Sequence, residues 1–419
     1  MNLVRKISTL QLFKDNEPIT QDLQRFYRYN TALTYCPINF HQAWSKFQSK
    51  DFHFKRFRWP WHFVENNTRL FFYLCCRSLP VISLVQPLFT LLKYLLCGNV
   101  VDHLSLLDSL MWISALTGTF ILDFYLLSPK FTLSLFRLME LSNKIWLKVE
   151  NSIGKEETKK LRQRKNLHVR SIMVFTGVID CITFRLFEWT SESLLYLFNL
   201  LPGTGRIANG ALWCLLQVNN VMMDVTWGSL MVFPGMMSIT FEHVILGLNK
   251  ALLIAQQNAD KPSINYSAEA ILQDYKVMEF AVSELRNNHF STMLLAYLMM
   301  MGMEQTFQCY VAFKMLRSGT FQFALLIDLM LSTPRVLTGL VGLSKLENAS
   351  RSFLTSVKKW TLVATKKGRF SLSGRKIRCM ARNLRSIKMK IGPCACDSDL
   401  PLTGMSVYLN YIVAAALWP

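Results

Sequence analysis

The 419-residue sequence is short of charge, and of acid above all. Charged residues make up 18% of the chain, below the roughly 25% of soluble domains, and 27 Asp and Glu face 47 Lys and Arg. Hydrophobic residues fill 51%. A formal charge of +20 on so apolar a chain is not the signature of an ordinary nucleic-acid binder, and the composition excludes disorder, collagen and small disulfide scaffolds. Catalytic signatures are missing too. There is no HExxH, GxSxG, P-loop or GxGxxG, so neither an enzyme nor a cofactor is predicted. The ten cysteines contain no CxxC pair; the lone Cys394-Ala-Cys396 and the seven scattered histidines predict no metal site. The first 20 residues carry Arg5, Lys6, Lys14, Asp15 and Glu17 without a 7–15-residue apolar core, so no signal peptide is read there. No internal repeat or low-complexity tract is visible.

Long apolar runs are what the sequence has instead. About 20 residues of helix cross the ~30 Å hydrocarbon layer. Seven runs of this order lie at 70–95, 105–127, 171–200, 209–236, 289–313, 320–343 and 402–418. Core helices of a large soluble α-protein would give similar runs, but they would not sort charge. Forty of the 47 cationic residues fall in 1–69, 128–170, 248–288 and 344–401, and only Arg206, Lys314 and Arg317 fall in the alternate gaps. Positive-inside topology predicts that partition. The fold class expected is all-α: a polytopic membrane protein with seven transmembrane helices, its N-terminus cytoplasmic and its C-terminus extracellular. The three sequons, at Asn66, Asn265 and Asn348, then lie inside, where they would not be glycosylated.

The organisation follows. Residues 1–69 form a cytoplasmic N-terminal segment. Spans one to six occupy 70–343, with long cytoplasmic helical extensions at 128–170 and 237–288 that could form a shared bundle. A basic cytoplasmic segment covers 344–401, and 402–419 is the seventh span. The outer loops are short.

Polar groups within the spans are costly and tend to face a cavity or a partner. In span three Arg185 has Glu188 at i+3, Trp189 at i+4 and Glu192 one turn beyond; a local ion pair on one helix face explains these residues as simply as a pocket wall does. Trp112 in span two, Trp213, Gln217, Asn219 and Asn220 in span four, Glu304, Gln305, Phe307, Gln308 and Tyr310 in span five, and Gln322 in span six reach the same outer half. Aromatic walls with a few placed polar groups are how small-molecule sites are built, although part of this set must serve interhelical hydrogen bonding. Asp224 and Asp328 sit deeper, as counter-ions for Arg335 or as proton-relay elements. Cys97 and Cys309, both near outer span ends, are candidates for pairing.

The last span opens at Pro401, and its Ala414-Ala415-Ala416 run permits close helix approach. It either packs against the bundle or lines a pore, in which case Leu417 or Trp418 forms an apolar constriction that gates by dewetting.

Asn410-Tyr411-Ile412-Val413-Ala414-Ala415-Ala416-Leu417-Trp418 is similar in frame to the TY-hhhhh-QF signature of the arthropod gustatory and odorant receptors. Tyr411 and the five apolar residues agree; Asn410, Leu417 and Trp418 replace Thr, Gln and Phe. The stretches LQDYKVMEFAVSELRNNHFSTMLLAYL and LRSIKMKIGPCA resemble the family's leads into spans five and seven. The whole resembles the gustatory more than the odorant branch. The resemblance implies a ligand-gated non-selective cation channel of four subunits, homomeric or heteromeric, with each subunit holding a small-molecule tastant in an outward pocket within spans two to six. It also implies a central pore lined by Tyr411, Ala414, Leu417 and Trp418, with Leu417 standing where the family has its pore glutamine. The setting implied is the plasma membrane of a sensory neuron dendrite, with lipid, permeant cations and a small-molecule ligand as partners and no nucleic acid. A secondary transporter of a small polar solute is the alternative, with Asp224, Asp328 and Arg185 as coupling groups, though no paired broken helices are visible.

Overall fold

The computed structural model describes residues 18–26, 85–97, 129–186, 233–257, 266–295, 323–366, 372–392, 394–396 and 399–417, with single positions between them. The helices are α1 (Val85–Cys97), α2 (Pro129–Ile153), α3 (Lys155–Leu186), α4 (Phe233–Gln257), α5 (Ala268–Leu285), α6 (Phe323–Lys366), α7 (Leu372–Arg382) and α8 (Leu400–Leu417). Strand pairing among the described residues is confined to a ribbon of Lys390–Ile391 (β1) and Cys394–Ala395 (β2), antiparallel, with Lys390 opposite Ala395.

Local chemistry sets the helix ends. Gly154, at φ 83°, takes the left-handed conformation that only glycine adopts without strain, which ends α2 and turns the chain into α3. Glu156 and Glu157 then occupy the first turn of α3, where the helix dipole favours negative charge. Ser267 caps α5 by accepting from the Ala270 amide.

The core is built where α2, α4, α5 and α6 turn apolar stripes toward one another. Phe131, Leu135, Leu138 and Trp146 of α2, Phe241, Val244 and Leu248 of α4, Ile271, Met278 and Leu285 of α5, and Leu343, Leu346 and Phe353 of α6 are all buried. Two glycines permit the close approach. A Cβ at Gly247 would lie 2.8 Å from Val149 of α2, and one at Gly342 would lie 2.9 Å from the Gly235 Cα. Thus α4 is held against α2 at one point and against α6 at the other.

The bundle draws on residues from both long connecting segments, 128–170 and 237–288. The helices ignore the span boundaries drawn on hydropathy: α3 runs through 170/171, α4 through 236/237 and α6 through 343/344 without a break. Among the described residues α4 alone is long and apolar enough by composition to cross a membrane, and 72% of its most apolar stretch is buried within the protein. Its apolar surface therefore serves the core. By contrast α1 exposes Leu88, Phe89, Leu92, Leu95 and Leu96, a surface that water does not favour.

Within the core, beyond the limits of the spans, His243 is wholly buried on α4. Its Nδ1 lies 2.8 Å from the Ile239 carbonyl, which can only accept, so Nδ1 carries the hydrogen. His168 of α3 meets it edge-on at 5.9 Å. Burial pushes the His243 pKa down to about 4; the Ile239 hydrogen bond opposes this, and His168, Lys165 and Arg164 add to it. Burial pushes neighbouring Glu242 the other way, against Lys345 and Arg164. The signs follow from linkage. Below pH 6.5 the unfolded histidine binds a proton that the folded one refuses until about pH 4, so stability is full above 6.5 and falls across that window. The total loss is at most about 3 kcal/mol. Glu242 contributes an opposite slope, losing stability as pH rises above 4.5. Thermal melting of the full chain in nanodiscs from pH 7 to 4 is expected to show the acid loss, and His243→Phe is expected to remove it.

Candidate functional site

Between α7 and the ribbon, residues 384–389 form neither helix nor strand, and among the described residues no strand pairs with them. Backbone inside a protein must find hydrogen-bond partners for its amides and carbonyls. Here side chains of α5 and α6 supply them. Lys276 donates to the Asn383 carbonyl at 3.2 Å, and Glu279 accepts from the Arg385 amide at 3.4 Å. The Ile387 amide donates to Ser350 Oγ at 2.7 Å; Ser350 lies 2.6 Å from the Tyr275 hydroxyl, which donates to the Arg385 carbonyl at 2.9 Å. Because the single Tyr275 hydrogen goes to that carbonyl, Ser350 donates to Tyr275 and the four groups form one relay. Burial pushes the Tyr275 phenol well up from its usual pKa, so it stays a neutral donor. Its ring stacks on Phe353 at 4.4 Å.

The same strap is held by charge. Glu347 of α6 is fully buried and takes Arg351 at 2.7 Å and Lys388 at 3.0 Å. Ile387, Met389 and Ile391 point into the core while Lys388 and Lys390 stay partly exposed, the two-residue period of a strand. The Cys396 amide returns to the Met389 carbonyl at 2.9 Å, and the chain enters α8 with Thr403 bonded back to Asp399. The strap thus delivers the last helix from a fixed point on the bundle.

α8 itself makes little use of the chain it belongs to. It packs on α6 at Gly404, where a Cβ would meet Leu340 at 2.7 Å. Leu402, Met405, Val407, Leu409 and Val413 are otherwise exposed, and Leu417 is 76% exposed. Of the residues assigned to a pore, Ala414 and Leu417 stand exposed on α8, and Tyr411 lies on the same helix, its side chain outside the description; Trp418 is outside the described residues. Of those assigned to a pocket, Arg185 lies on the last turn of α3, its side chain again not described. Trp112, Glu188, Trp189, Glu192, Trp213, Gln217, Asn220, Glu304, Gln305, Gln308 and Gln322 all lie outside the described residues, as does the Cys97 side chain. Among the described residues no three His, Cys, Asp or Glu side chains gather as a metal site would require.

The chain as a whole is similar to solved structures. The insect olfactory receptor OR5 from Machilis hrabei in complex with eugenol matches with a TM-score of 0.67 at 10% identity, over 94% of this chain and 97% of that one. A second structure of the same receptor matches with a TM-score of 0.63 at 11% identity, over 87% of this chain and 93% of that one. The chain has the fold of an insect olfactory receptor. The resemblance read from the last span is thus upheld at the level of the fold, with its seven-helix all-α architecture. No protein-family model matches the sequence, and no curated protein matches it either. The strap falls within the stretch LRSIKMKIGPCA that the sequence marks as a lead into span seven, and its strand-like course is written in the alternation of Ile387, Met389 and Ile391 with Lys388 and Lys390.

Proposed function

We propose that this chain is an insect-type chemosensory receptor of the gustatory kind, acting as a ligand-gated non-selective cation channel in the plasma membrane. The observation that carries the reading is the fold match, which extends over nearly the whole of both chains. It is supported by an α8 that leaves apolar side chains from Leu402 to Leu417 uncovered. Four copies, identical or mixed, bring their α8 helices together around a pore lined by Tyr411, Ala414, Leu417 and Trp418. The outer halves of spans two to six hold the ligand, with Trp112, Arg185, Glu188, Trp213, Gln217 and Glu304 among the lining groups. The bundle of α2 to α7 faces the cytoplasm in this reading, which the gathering of forty cationic residues in 1–69, 128–170, 248–288 and 344–401 supports.

Ligand opens such a channel only in proportion to its greater affinity for the open arrangement. The neighbour was solved with eugenol, so a small phenol belongs in the probe set beside sugars, bitter compounds and amino acids. With Leu417 at the narrowest point, the closed pore excludes water by being apolar. Leu417→Lys places a ring of like charge against the permeant ion and is expected to cut unitary cation current about tenfold, the effect of a barrier of about 1.4 kcal/mol. Leu417→Gln is expected to conduct. Single-channel recording from both variants checks this; equal currents from wild type and Leu417→Lys would remove Leu417 from the pore.

A further inference from the structure

We propose that Ser291 and Gly392 form the joint through which span five positions the last span, and that the π turn before Ser291 aims it. The meaning of this joint rests on the channel reading, while its test below does not.

The helix of α5 does not pass directly into span five. Arg286–Phe290 forms a π turn, and regular helix resumes at 291–295. A π turn holds one residue more than an α turn, so everything beyond it is rotated by about 100°. Its last residue, Phe290, is fully buried and stacks on Phe131 of α2 with ring planes 7° apart, which fixes the start of the span to the bundle. The rotation decides which face meets the strap. Ser291 and Leu295, one turn apart, are the residues brought to Gly392.

The contact is bonded in both directions. The Gly392 amide donates to the Ser291 carbonyl at 3.1 Å, and Ser291 Oγ donates to the Gly392 carbonyl at 3.0 Å. A side chain at position 392 would be strained: φ is 57°, and a Cβ would lie 2.7 Å from Leu295 Cδ2, which would have to shift. Gly392 is also the turn between β1 and β2, whose ladder returns the chain to Asp399 and the first turn of α8. Seven residues therefore separate a two-bond joint on span five from the base of the last helix. Span five carries Glu304, Gln305 and Gln308 of the pocket assigned from sequence, so a ligand that tilts or turns this span acts on α8 through Gly392. Ser291 and Gly392 are positioning residues; neither touches ligand or ion.

The test uses hydrogen exchange on the full-length protein in nanodiscs. Ser291→Ala removes the side-chain bond and keeps the backbone one. Exchange is expected to quicken about fivefold in residues 390–396 and also in 400–408, the effect of one hydrogen bond. Ser291→Thr, which keeps the hydroxyl, is expected to hold both segments at the wild-type rate. Gly392→Ala adds the clash with Leu295 and is expected to loosen both segments further; should it fail to fold, the Ser291 pair decides alone. The joint is overturned if Ser291→Ala quickens 390–396 and leaves 400–408 unchanged, or if Ser291→Thr behaves as Ser291→Ala does. Because exchange requires no conduction, a protein that passes no current would sink the channel reading and leave this result standing.

Discussion

Lys165→Met is expected to destabilise the folded chain by about 3–5 kcal/mol, the usual cost of leaving one partner of a buried ion pair alone. Lys165 of α3 and Asp22 meet at 2.7 Å with side chains only 5% and 4% exposed, and the same ammonium donates to the Ile19 carbonyl at 2.9 Å. Around them Ile19 and Leu23 are buried, and Asn143 of α2 accepts from both the amide and the hydroxyl of Thr20. Residues 18–26 are therefore docked on the α2–α3 pair by one buried charge and its neighbours. A methionine fills the volume of the lysine stem but leaves the Asp22 carboxylate without water or counter-charge. Adding Asp22→Leu to Lys165→Met removes the stranded charge and is expected to recover most of the loss. Thermal unfolding of the single and double variants in nanodiscs checks this; a double variant no better than the single would show that the pair was not what held the segment.

Gly342→Leu is expected to cost about 3 kcal/mol or more, at the upper end for overpacking. The Gly342 Cβ site lies 2.9 Å from the Gly235 Cα and 3.4 Å from its carbonyl oxygen. These are backbone atoms of α4, which cannot turn aside as the end of a side chain can. The whole of α4 must move off α6, loosening the Ser238 contact with the Leu343 carbonyl and the buried packing around it. Gly342→Ala is expected to fall between wild type and leucine. Gly302→Ala is the control: nothing lies within 4 Å of its Cβ site, so the helix propensity gained, up to about 1 kcal/mol, is expected to appear as neutral or slightly raised stability. Melting temperature and the monodisperse fraction on size exclusion report all three.

The helical body was legible in the sequence because apolar runs and charge segregation are properties of whole segments. The stretch ILQDYKVMEFAVSELRNNHF, residues 271–290, reads as a lead into span five; its α-helix runs Ala268–Leu285 and gives way to the π turn over its last five residues. What escaped depends on contacts between distant residues. Gly235 and Gly342 sit in long apolar runs, where a small residue breaks no period, so nothing in the sequence marks them as a crossing point. Lys165 and Asp22 are paired across more than a hundred residues and look like two surface charges. The Arg286-Asn287-Asn288-His289-Phe290 stretch reads as a polar helical turn, and its π geometry shows only in the backbone. The pocket is a different case. Its assigned residues, Arg185 apart, lie outside the described residues, so Trp112, Glu188 and Gln305 are placed by topology alone.

The same division explains which half of the molecule bears on function here. The bundle and strap account for how α8 is mounted, through Tyr275, Ser350, Glu347 and the Ser291–Gly392 joint. They hold the base of α8 on the bundle, while Leu417 at its far end stands exposed.

The central claim is that this chain conducts ions when a small molecule binds. The most direct test is recording from the purified full-length protein in planar bilayers while sugars, bitter compounds, amino acids and eugenol are applied in turn. The channel account predicts discrete unitary cation currents that appear with an active ligand and run passively down the cation gradient. Saturable, gradient-driven uptake of a solute without unitary steps would contradict it and favour a transporter.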